Sequence, residues 1–107
     1  MKKLPKSVTI YGRKIPIINI PSEEILKLYP DFNQAPHGLW DSGKRVIVIN
    51  SDLELLDQRY VLFHEMSHAV NTFNGVELII GPELQEILVQ SNATLIEDVL
   101  SQAHIFK

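Results

Sequence analysis

Cysteine is absent from the 107 residues, so a disulfide framework, a thiol nucleophile, an iron–sulfur cluster and a Cys-type structural zinc site are all excluded. Long apolar runs are missing too: none approaches the roughly 18 residues that a membrane helix needs. Met1-Lys2-Lys3 resembles the basic start of a secretory leader, but Leu4-Pro5-Lys6-Ser7 interrupts it before an apolar stretch can form, so the expected compartment is the cytoplasm, bacterial or phage-encoded. Histidines are few, four in all, and without cysteine they and the carboxylates are the ligands left for any metal. What is present, 45% hydrophobic and 21% charged residues, is the composition of a globular chain whose length suits one domain spanning residues 1–107.

The net charge of −3 is unevenly distributed. Residues 1–14 carry Lys2, Lys3, Lys6, Arg13 and Lys14 with no acid, whereas residues 50–107 hold nine acids against Arg59 and Lys107. The overall acidic balance argues against nucleic acid as the main partner, and the basic start reads as a solvated tail and hairpin edge.

Val8 to Tyr11 and Lys14 to Ile20 are two β-rich runs around Gly12, the pattern of a hairpin, with Pro16 pointing to an edge position or a bulge. Ser22-Glu23-Glu24-Ile25 opens a short helix that must end before Pro30, and residues 31–38 are loop material. A second hairpin is expected from Leu39-Trp40, a turn at Asp41-Ser42-Gly43-Lys44 and the run Arg45 to Asn50. Ser51-Asp52-Leu53-Glu54 has the spacing of a capping box for a helix that runs to Asn74-Gly75. Leu62, Met66, Ala69 and Phe73 form its apolar stripe, widened by Phe63 and Val70. A second long helix is expected from Gly81-Pro82 to about Ala103. Strands first and helices afterwards predict an α+β fold, a small antiparallel or mixed sheet of two hairpins with helices packed on one face.

Chemistry concentrates in His64-Glu65-Met66-Ser67-His68. Two histidines at i and i+4 stand one turn apart on one helix face, so both imidazoles reach a single tetrahedral ion. Glu65 lies about 100° round the helix from His64, near the ion without having to ligate it. A divalent ion lowers the pKa of water to about 7, and a neighbouring carboxylate then serves as general base during attack on a carbonyl. The implied ion is Zn2+ held by three protein ligands, the third supplied by the last helix. Its polar stripe reads Glu83, Glu86, Gln90, Glu97 and Ser101. Glu86 is the favoured ligand because a carboxylate is a normal zinc donor; Glu83 and Gln90 are the alternatives, and Gln90, one turn further on, is a poorer donor. His104 reads as a terminal histidine.

The segments His37-Gly38-Leu39-Trp40-Asp41, Arg45-Val46-Ile47-Val48-Ile49 and Tyr60 to Val70 resemble those of the small HExxH metallopeptidases of phages and mobile elements. These are minimal gluzincin-like zincins, related in pattern to the ImmA/IrrE-like and SprT-like groups. The resemblance covers roughly residues 37–100 and implies a zincin core, a zinc ion and peptide-bond hydrolysis. On it, His64 and His68 match the ligands and Glu65 the general base. The family often has two acids a turn apart in the stretch from Glu86 to Ala93, whereas here the second position is Gln90.

The expected partner is a peptide or protein substrate, laid as an added strand against a sheet edge beside the metal. That edge is expected at Arg45 to Asn50 or at its hairpin partner Leu39-Trp40. Trp40 reads as a pocket wall or as hairpin packing, and His37 or Tyr60 as a donor to the oxyanion. A zincin-like module that keeps the metal and binds a protein without cleaving it is the alternative function.

Overall fold

The computed structural model describes residues 3–75 together with Glu86, Val89 and Gln90. Strand β1 (Ser7–Ile10) turns through Tyr11 (φ 51°) and Gly12 (φ 76°) into β2 (Arg13–Ile20). Two consecutive left-handed residues make the tight turn whose twist matches that of the flanking strands. Helix α1 (Ser22–Leu28) follows and ends ahead of Pro30. Strand β3 (Gly38–Asp41) pairs with β4 (Val46–Asn50), and α2 (Leu55–Asn74) carries the HExxH motif.

The four strands form a mixed sheet in the order β1-β2-β4-β3. The two hairpins are antiparallel, and they meet along β2 and β4, which run parallel from Ile17↔Ile47 to Ile20↔Asn50. Pro16 is tolerated in β2 because pairing with β4 starts only at Ile17; the neighbouring Ile17 amide donates to Lys6 on the β1 side. Strand β4, one of the two sequence candidates for the edge, is therefore interior, and the end strand on that side is β3. Its Val46-Ile47-Val48-Ile49 run is what an interior strand requires, since both of its faces are covered.

Alternation along β4 separates two layers. Ile47 and Ile49 join Ile15, Val61, Leu62 and Ala69 in the core beneath α2. Val48 points the other way and is equally buried. On that second face Asp41, two residues from Leu39 and opposite Val46, accepts a hydrogen bond from the Tyr29 hydroxyl at the end of α1 (2.8 Å). The short helix α1 thus lies on the face opposite α2, while the second long helix, expected on the same face as α2, falls outside the described residues apart from Glu86, Val89 and Gln90. A parallel β2–β4 pair demands a crossover, and α1 belongs to it.

The expected capping box does not form. Helix α2 starts at Leu55 with Glu54 at its N-cap and no side-chain cap bond. Asp52 instead accepts the Ser22 amide at the start of α1 (3.0 Å), while its own amide donates to Asn50 Oδ1 (2.9 Å). Gln58 anchors the first turn of α2: its Nε2 donates to the Leu53 carbonyl (2.7 Å), and its Oε1 accepts from Asn19 of β2 (3.0 Å). Gly75, at φ 79°, ends the helix where the sequence expected it. The second long helix lies outside the described residues apart from Glu86, Val89 and Gln90, which are helical, with Val89 fully buried. Among the described residues no helix is long and apolar enough to cross a membrane.

Candidate active site

Leu62 and Ala69 are buried against the sheet, and that packing fixes the rotation of α2. His64 and His68 then lie on the flank turned away from that core, while Glu65, between them in sequence, turns back towards β3 of the sheet. The two imidazole rings stand 5.1 Å apart between centroids, inclined by 61°. Glu86 meets both: one carboxylate oxygen is 2.8 Å from His64 Nε2 and the other 3.2 Å from His68 Nε2. Both histidines are mostly buried, whereas the Glu86 side chain is 55% exposed.

These three side chains offer one ligand atom each, all within 4.8 Å of one another. Zinc bonds of about 2.0–2.1 Å in a tetrahedron put neighbouring donors roughly 3.3 Å apart, so two imidazole nitrogens and a carboxylate oxygen at these separations fit that ion. Burial pulls the His64 pKa below its usual 6.5, against the opposing pull of the Glu86 carboxylate. The neutral imidazole thereby favoured is the form that ligates a metal.

Glu65 is 8% exposed and faces β3. Desolvation, reinforced by the Glu86 charge, pushes its carboxyl up to about 7, and the backbone amide of Trp40 donates to it and holds the anion in part. The close approach of β3 to α2 requires Gly38. A Cβ there would collide with Val61 Cγ1 and lie 3.2 Å from Glu65 Cγ.

Two adjoining cavities open on this point and share Gly38, His64 and Glu65. One, of about 300 Å³, is completed by His37, Tyr60, Val61 and Gln90. The other, of about 370 Å³, runs along Leu39 and Trp40 to His68 and Glu86. His37 and Tyr60, the sequence candidates for oxyanion contact, therefore sit in the same cavity as the motif. Gln90 donates to the Tyr60 hydroxyl and also hydrogen-bonds His64, beside the carboxylate cluster. Trp40 serves both of its expected roles: it lines the second cavity, while its indole N–H donates to Thr72 (2.8 Å) and its ring packs edge-on against Phe73 at 5.8 Å. Glu83 and His104 lie outside the described residues.

Sequence reasoning missed two features. The Trp40 amide at Glu65 has no sequence signal, because a backbone donor carries no residue identity. Gly38 did have one: a glycine opening a short strand marks a possible close backbone approach.

A sheet with β3 at its end, an HExxH helix packed across it and a carboxylate brought in from a later helical residue define a zincin-like metallopeptidase fold. The chain belongs to the family of the IrrE N-terminal-like domain, Peptidase M78, whose model matches residues 13–98. This is a peptidase-type family, and the match takes in β2, α1, the β3–β4 hairpin, α2 and Glu86. Searches of curated proteins and of solved structures each found no match.

Proposed function

We propose that the chain is a zinc-dependent endopeptidase that hydrolyses peptide bonds of a protein substrate, with His64, His68 and Glu86 holding the metal and Glu65 as general base. The observation that carries this reading is the Glu86 carboxylate lying against both motif imidazoles. Zinc, when bound, supplies a Lewis acid that polarises the scissile carbonyl and lowers the pKa of water towards about 7.

The chain's own groups account for the remaining work. Glu65, with a pKa matched to neutral pH and an orientation set by the Trp40 amide, takes the proton of the attacking water and passes it to the leaving amide nitrogen. The Tyr60 hydroxyl and His37, on the walls of the same cavity, supply polar contacts for the substrate carbonyl oxygen. The substrate lies extended beside β3, whose outer edge has no partner strand among the described residues. Gln90 supports the site through Tyr60 and His64 and does not replace the carboxylate ligand.

The test is metal content together with turnover. Protein purified without chelator is expected to carry one zinc per chain by mass spectrometry of the metal, and Glu86→Ala to lower zinc affinity by about 10- to 100-fold or more, the scale at which altered metal surroundings act. Metal-free wild-type protein whose zinc titration matches that of His64→Ala would refute the reading. Stoichiometric zinc without hydrolysis of any protein substrate would favour the non-cleaving binding module.

A further inference from the structure

A second cluster lies where α2 ends. Strands β2 and β4 are parallel, so their first residues emerge at one end of the sheet, and Phe73 in the last turn of α2 reaches that end. The guanidinium carbons of Arg13 and Arg45 each stand 5.0 Å from the centroid of the Phe73 ring. Both arginines are exposed, and neither has a carboxylate partner among the described residues. Arg45 also holds a left-handed backbone (φ 57°), which a non-glycine residue adopts at a cost. Two like charges thus share one ring in a chain of net charge −3.

Continuity with the cleft gives the cluster a role. Trp40 lines the cavity that contains His64, Glu65, His68 and Glu86, and the same ring packs on Phe73. Phe73 comes eight positions after Glu65, about 12 Å along the helix axis at 1.5 Å per residue. An extended peptide covers that distance in three to four residues at about 3.3 Å each. The planar fork of arginine suits a carboxylate, and a ring beneath it keeps it oriented.

We propose that Arg13 and Arg45, seated on Phe73, bind a carboxylate of the substrate polypeptide three to four residues from the bond presented to Glu65, so that the protein selects acidic segments. This rests on the peptidase reading above. A polypeptide is favoured over nucleic acid because two guanidinium groups make a short patch that continues into a peptide cleft, within an otherwise acidic chain.

The experiment uses the zinc-loaded full chain and a proteome-derived library of peptides with blocked termini, so that every carboxylate is a side chain. In the cleavage arm, products are sequenced by mass spectrometry. Asp and Glu are expected to be enriched at one position three to four residues from the cut by about tenfold, the scale of two exposed carboxylate–guanidinium pairs. Arg13→Gln/Arg45→Gln should abolish the enrichment with cleavage retained, and Arg13→Glu/Arg45→Glu should shift it to Lys and Arg. Cleavage without acidic enrichment, or enrichment unchanged in both double variants, overturns the proposal.

In the retention arm, immobilised Glu65→Gln protein is exposed to the same library. Acid-rich peptides should be held, and held no better than others once the double Gln change is added. Selective retention without any cleavage by the wild type would refute the peptidase reading and leave the arginine assignment standing. Retention of an oligothymidylate by these arginines with no enrichment of acidic peptides overturns the assignment in favour of a nucleic-acid contact.

Discussion

Helix α2 has two faces with opposite tasks. On the sheet side, Leu62 and Ala69 are 1% and 0% exposed and belong to the apolar core beneath the helix. On the other, His64 and His68 keep partial contact with the open cavities, and Glu65 is buried at the boundary between the two faces, against β3. The first face stabilises the fold by removing apolar surface from water, about 1.5–3 kcal/mol for a leucine. The second spends part of that stability on keeping a carboxylate and two imidazoles poorly solvated. The placing of the site thus depends on residues that take no part in its chemistry.

Substitutions on the two faces should therefore separate activity from stability. The largest effect is expected from Glu65→Gln, which preserves shape and burial while removing the base. Turnover of any cleaved protein should fall by about 10²- to 10⁴-fold with zinc content unchanged, as measured by steady-state kinetics beside metal analysis. Equal loss of zinc and turnover would break the proposed division between ligand and base.

Leu62→Ala should do the reverse. Cavity formation beneath the helix is expected to cost about 2–5 kcal/mol in urea denaturation, with turnover per folded molecule close to wild type. Gly38→Ala belongs to both faces, because the new methyl group meets Val61 and Glu65 together. Overpacking should cost about 1–3 kcal/mol and also lower turnover, since it pushes β3 away from Glu65. Unchanged stability in this variant would show that the β3–α2 contact is looser than its geometry.

The smallest effect lies on the far side of the sheet, at Tyr29 and Asp41. The Lys44 amide and, after it, the Tyr29 hydroxyl hold the Asp41 carboxyl below its usual value, so its contribution is present above the unfolded pKa of about 3.8 and is lost as the pH falls through the lower folded value. Burial first, and the bond to Asp41 second, push Tyr29 up to about 12, so its contribution is complete below 10 and disappears as the pH rises towards 12. Asp41→Asn should therefore destabilise near neutrality by under about 1 kcal/mol, in keeping with a partly exposed pair. Denaturation curves of variant and wild type should converge once the pH has fallen below the lowered folded value of Asp41. A constant difference across that range would mean that Asp41 acts through shape alone.

Much of this was legible beforehand. Tyr11-Gly12 marks a hairpin, Gly75 a helix stop and His64 to His68 a single face, because each depends only on residues within a few positions of one another. The capping box misled for a related reason: Ser51 to Glu54 has the right spacing, but the Ser51 amide donates to the Ile20 carbonyl, thirty-one residues away (2.9 Å), and the helix begins only at Leu55. Likewise the apolar run of β4 fitted a strand covered on one side or on both, and the parallel pairing with β2 decided in favour of an interior position.

Local chain geometry is enough to bring two imidazoles and a carboxylate together on one helix, since 3.6 residues per turn needs no distant partner. Tertiary structure alone decided that Glu86 meets those imidazoles, that β3 ends the sheet beside them, that the Trp40 amide touches Glu65, and that Arg13 and Arg45 share Phe73. Each of these joins residues far apart in the chain, and only the packing of the core selects which distant partners come together.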